Sequence, residues 1–191
     1  MKIRHGFVSN SSSSSFIISL DKTPENMEEL HKILFGSDEE QFVNEYGFDN
    51  QSFSTKTITQ RVFEDITRND TASFENVVDE LSSGYIDGMP NYHDNNRDKK
   101  SRAIEEKARA LGKDPYKDEP WNSMRTKALR KEWAKYDKEC NVSATKIANK
   151  FLNDNKGVVF VVSYEDDEPL GCQIEHGGTF DKIPNIRISH H

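Results

Sequence analysis

The chain has 191 residues, of which 34% are hydrophobic and 31% charged, with a net charge of −7 and two cysteines. That length and composition predict a single domain with a modest core and a very polar surface. They exclude a disulfide framework, and no apolar run approaches the roughly 20 residues that span a bilayer. The start Met1-Lys2-Ile3-Arg4 is basic but lacks the apolar stretch of a secretory signal, so the expected location is the cytoplasm.

In chain order, a serine-rich block from Ser9 to Ser15 stands between Phe7-Val8 and Phe16-Ile17-Ile18. Phe16 to Leu20 is short, apolar and β-branched, which predicts a buried strand. Thr23 as N-cap and Pro24 at the first position predict a helix with Met27, Leu30, Ile33 and Leu34 on one face, ended by Gly36. Ser54 and Ser73 are placed to cap two further helices, one carrying Ile58, Val62, Phe63 and Ile66, the other Phe74, Val77, Val78 and Leu81. Residues 84–97 read as loop.

Two helices with narrow apolar stripes are expected at about 98–111 and 121–138, and a third begins at Asn141 or Ser143 with Ala144, Ile147, Ala148 and Phe151. Val158 to Val162 is the strongest apolar run and reads as a central strand. Gly171 to His176 reads as its return strand, and Ile186 to His190 as a last one. The prediction is α+β: a small, mostly antiparallel sheet formed by the N- and C-terminal segments, with a polar helical middle, 36–140, packed on it.

The opening, Arg4-His5-Gly6-Phe7 through Phe16, resembles a start that recurs in phage and bacterial proteins. The ending, Glu175-His176-Gly177, Phe180, Pro184 and Ile186 to His191, resembles the close of a group of small phage-associated proteins. The resemblance implies that His190 and His191 are native residues, and for a phage-encoded chain that the location is the host cytoplasm. It implies no activity.

Four sets of residues are candidates for chemistry. If Gly171–His176 and Ile186–His190 pair as strands, Cys172 and His190 become neighbours, and with His176 or His5 they have the ligand types for Zn²⁺. Cys172 and His190 also have the types of a nucleophile and its base. A buried cysteine with structurally hydrogen-bonded histidines is the competing account, as is a charge pair for Glu175 and Arg187. The loop group His93-Asp94 with Asp87 offers carboxylates for Mg²⁺, against a solvated polar loop. Ser11, Ser12, Ser13, Ser14 and Ser15 offer hydroxyls and amides for phosphate recognition, or acceptors for modification, against an ordered turn.

The fourth set is electrostatic. Residues 21–95 hold 17 acidic and 5 basic side chains, whereas 97–138 hold 14 basic and 8 acidic. Either the segments are solvated or face one another, or one of them binds a charged partner. Lys99, Lys100, Arg102, Lys107, Arg109, Arg125, Lys127, Arg130 and Lys131, with Tyr116, Trp121, Trp133 and Tyr136 among them, have the composition of a nucleic-acid surface combining phosphate contacts and base stacking. The acidic segment could conversely mimic a nucleic-acid backbone. The function expected is that of a small phage or bacterial accessory protein that binds another protein without catalysis. Nucleic-acid binding through 97–136 and a metal-dependent hydrolase using Cys172, His176 and His190 are its rivals.

Overall fold

The computed structural model of the chain describes residues 13–37, 39–44, 52–84, 86, 88–90, 99–165 and 168–190. In order these form β1 (Ser13–Leu20), α1 (Met27–Phe35), β2 (Phe42–Asn44), β3 (Ser52–Ser54), α2 (Thr55–Arg68), α3 (Phe74–Leu81) and α4 (Lys99–Ala110). Then come α5 (Trp121–Asp154), β4 (Val158–Glu165), α6 (Pro169–His176) and β5 (Asn185–Ser189). The architecture is α+β, with a small antiparallel sheet made by both chain ends, as the sequence predicts. The chain divides into two compact units, residues 1–86 with 147–191 and residues 87–146. Helices α2 and α3, within the middle segment 36–140 of the sequence reading, belong to the first unit.

The first unit is organised by β1, which lies between β4 and β5 and is antiparallel to both. Ser13 stands opposite Glu165, Leu20 opposite Val158, and Ser14 opposite Ser189. The apolar run 158–162 is therefore not central: β4 is an edge strand, and the central place belongs to the strand that begins with serines. The outer edge of β4 is partly covered, because the Val159 carbonyl accepts from the Ala72 N–H at 2.7 Å.

Alternation sorts β1 onto two faces. Phe16, Ile18 and Leu20 join Leu30 and Leu34 of α1, Ile58, Val62 and Ile66 of α2, Phe160, Val162 and Tyr164 of β4, Ile174 of α6 and Phe180 in one core. Removing each such side chain from water is worth about 1.5–3 kcal/mol. Ser13, Ser15, Ile17 and Ser19 take the opposite face.

Helix α1 starts three residues later than Thr23-Pro24 suggests. Asn26 is its cap, accepting from the Glu29 N–H, and Gly36 closes it in the left-handed conformation, φ 73°. Ser54 and Ser73 cap α2 and α3 as expected, the latter in a reciprocal capping box with Asn76. A short β2–β3 pair, with Phe42 opposite Ser54, was not foreseen.

Two expectations fail. The helices expected at 121–138 and from Asn141 are one continuous helix, α5, of 34 residues. No proline or glycine interrupts it, and Cys140, Ala144, Ala148 and Phe151 form a buried stripe across the supposed break. The return strand 171–176 is instead α6. Pro169 occupies its first turn and Gly177 its C-cap, and Leu170 and Ile174 fall one turn apart. The glycine that reads as a strand start, Gly171, is there for space: a Cβ would lie 2.2 Å from the Glu165 carbonyl oxygen.

Candidate functional site

The serine block is structural at its C-terminal end. Ser13, Ser14 and Ser15 belong to β1 rather than to a turn beside it, and Ser14 and Ser15 are buried at 0% and 2% exposure. Ser11 and Ser12 lie outside the described residues, as do His5, Asp87, His93, Asp94 and His191.

On the core side, Ser14 Oγ donates to Glu175 Oε1 at 2.7 Å and accepts from Arg187 Nε at 3.1 Å. Arg187 Nη2 donates to the same carboxylate oxygen at 2.9 Å. The Glu175–Arg187 pair expected from the sequence is thus present, joining α6 to β5 instead of crossing a strand pair. His176 stands beside it, with Nδ1 3.3 Å from Arg187 Nη2 and Nε2 3.6 Å from Glu175 Oε1. The Glu175 side chain is fully buried, and among the described residues its second oxygen, Oε2, has no hydrogen-bond partner.

On the opposite side, Ser15 Oγ is 2.8 Å from Ser163 Oγ and 2.9 Å from His190 Nε2. Glu80 Oε1 approaches the same Nε2 at 3.3 Å. Ser163, Glu80 and His190 line an open polar groove of about 900 Å³ together with Arg61, Ser83 and Glu168, with Ser15 buried at its floor. A serine, a histidine and a carboxylate are therefore assembled, but not as a relay. A nucleophile and an orienting acid engage opposite ring nitrogens of the histidine, and here both converge on one. Ser15 is also closed off from solvent. What the arrangement does chemically is brace the strand ends.

The candidate zinc set is dispersed. Cys172 is buried in α6, so the strand pairing that would set it against His190 is absent. His176 joins the network on the Ser14 side and His190 that on the Ser15 side, and successive strand residues face opposite ways. Among the described residues no group of three or more His, Cys, Asp or Glu side chains is gathered to hold a metal ion.

The basic residues lie in the second unit. Lys99, Lys100, Arg102, Lys107 and Arg109 on α4 are exposed, while Ser101 and Ala108 of that helix are buried. Lys100 reaches Glu132 at 3.4 Å and Arg109 reaches Glu105 at 3.7 Å. Arg125 is half-buried, its guanidinium 4.5 Å from the centre of the Tyr116 ring. On α5, Lys127, Arg130, Lys131, Lys135 and Lys138 are all exposed, at spacings of three and four that put them on one face. Lys135 pairs with Glu139 at 3.5 Å; the other four make no ion pair among the described residues. Leu129, Glu132, Trp133, Tyr136 and Cys140 occupy the other side and are half-buried or buried.

Lys135 and Lys138 were outside the basic set singled out from the sequence, although helical spacing extends the face to them. The aromatic residues do not share it. Trp133 packs edge-on against Tyr136 with ring centres 5.9 Å apart, and the Tyr136 hydroxyl donates to the Pro90 carbonyl at 3.3 Å. No protein-family model, no curated protein and no solved structure matches this chain.

Proposed function

We propose that this is a small accessory protein that binds a macromolecule without a catalytic step of its own, and that it binds nucleic acid through the outer face of α5. The observation that carries the reading is the row Lys127, Arg130, Lys131, Lys135 and Lys138. Five exposed cations repeat along one face of a rigid helix in a chain whose net charge is −7. Together α4 and residues 121–146 of α5 hold 12 basic and 5 acidic side chains. Cations at fixed spacing, four of them free of ion pairs among the described residues, are what phosphate contacts require.

Support for nucleic acid over a protein partner comes from the same face. A typical protein interface is centred on buried aromatic and apolar anchors, whereas here the exposed apolar residues of that face, Met124 and Val142, stand at the two ends of the row and its middle is Ala134 flanked by lysines.

The test is fluorescence anisotropy of labelled oligonucleotides with the full chain, alongside a Lys127→Gln, Arg130→Gln, Lys131→Gln, Lys135→Gln variant. Affinity should fall with salt at a log–log slope of roughly −4, from about 0.9 per phosphate contact. The variant should lose most of the binding with unchanged circular dichroism. No binding at low salt, or binding that the variant keeps, overturns the reading.

A further inference from the structure

Resting on that reading, we infer that the nucleic acid is double-stranded DNA, held by its phosphates with α5 lying in the major groove. Three observations on the helix lead there.

The first is that, among the described residues of α5, no aromatic ring lies on the cationic face. Proteins that hold single strands stack bases on exposed aromatic side chains. Trp133 and Tyr136 are on the far side of α5, held against each other and to Pro90. This separates the two elements, phosphate contact and stacking, that the sequence leaves together.

The second is shape. From Lys127 to Lys138 the helix rises about 16 Å at 1.5 Å per residue. The helix is continuous through this segment, so the five cations are fixed along one side of it, over an arc of about 140° at roughly 100° per residue. A single strand would have to straighten to follow such a row, whereas a duplex presents its phosphates at fixed spacing. The major groove of B-form DNA is wide enough for an α-helix, while that of an RNA duplex is deep and narrow.

The third is the exposed residue at the centre of the row. Ala134 lies between Arg130, Lys131, Lys135 and Lys138, with the exposed Asp137 at the margin beside Arg130. With a methyl group in the middle and long flexible cations at the sides, the helix can approach the groove floor while the lysines reach outward to the phosphates on either strand.

The experiment compares a DNA duplex of arbitrary sequence, the corresponding single strand and an RNA duplex of equal length, in competition at low salt with the full chain. Binding to duplex DNA should be about tenfold tighter than to either competitor, the equivalent of one or two phosphate contacts. An Ala134→Glu variant places a carboxylate in the middle of the row at an exposed site, where folding is not at stake. It should cost the same order in duplex affinity. Single-stranded DNA or duplex RNA bound as tightly as duplex DNA overturns this inference and leaves nucleic-acid binding standing. Unchanged duplex affinity in Ala134→Glu overturns the seating of α5. Binding to none of the three overturns both this inference and the reading on which it rests.

Discussion

Ser14 and Glu175, 161 positions apart in the chain, meet at 2.7 Å where β1 and α6 close on each other. Arg187 of β5 completes the contact from the side, so one carboxylate oxygen ties three elements together. Residues from the first and last strands and from α6 here form a single structural feature.

Arg187→Met leaves the fully buried Glu175 carboxylate with the Ser14 hydrogen bond and the longer 3.6 Å approach of His176 Nε2. Breaking a buried pair from one side costs about 3 kcal/mol or more, softened here because Arg187 is 39% exposed. Urea denaturation should show a loss of that order. Adding Glu175→Gln should recover part of it, since the uncompensated charge is then gone. A single variant as stable as the wild type would mean that the contact is marginal.

Tyr164 offers the opposite case. Its hydroxyl is buried and, among the described residues, makes no hydrogen bond of ordinary geometry. Removing it should therefore be neutral or stabilising, within about 1 kcal/mol, whereas Ser14→Ala should cost about 1–3 kcal/mol. Burial, with the Asp65 carboxylate adding to it, pushes the phenol well above its ordinary value. The unfolded chain then ionises first, so this contribution is intact below about pH 10 and is lost as pH rises beyond it. Comparing Tyr164→Phe with the wild type at pH 8 and pH 11 checks the sign: the variant should gain relative stability at the higher pH.

How much of this was legible follows from where each signal resides. Caps such as Ser54 and Ser73 act within four residues, and both helices were read from them. The sheet's ends were read from short apolar runs. The identity of the central strand was not, because serine has little intrinsic preference for strands and its partners here are remote: Glu175, Ser163 and His190. Alternation of Cys172, Ile174 and His176 over six residues fits either period, and only the positions of Pro169 and Gly177 favour the helix. The expected proximity of Cys172 to His190 rested on that hairpin. The basic face was legible in composition, but which side of α5 the aromatic residues take depends on packing.

Gly157 stands at the turn into β4, and its requirement is steric. A Cβ there would lie 1.9 Å from the Leu20 carbonyl oxygen and 2.6 Å from its carbon, both backbone atoms at the end of β1. Unlike a flexible side chain, these atoms move only if the strand pair opens. Gly157→Ala should therefore destabilise by about 1–3 kcal/mol, as overpacking does, with faster amide exchange at the Leu20–Val158 end of the ladder. A substitution tolerated without change in melting temperature would show that the turn relaxes freely.

Asn141 separates two accounts of the long helix. If it capped a new helix, as the sequence suggests, Asn141→Ala would remove the cap and cost about 1 kcal/mol. In the structure it is an exposed interior residue of α5. There alanine is the better helix former, by up to about 0.7 kcal/mol. The expected result in thermal or urea denaturation is a small gain, with helical circular dichroism retained. A loss of about 1 kcal/mol would instead place a break at 139–141, dividing α5 just beyond the cations that run from Lys127 to Lys138. The stability of one alanine variant thus separates one continuous helix from two, while the cations from Lys127 to Lys138 stay on a single helix in either case.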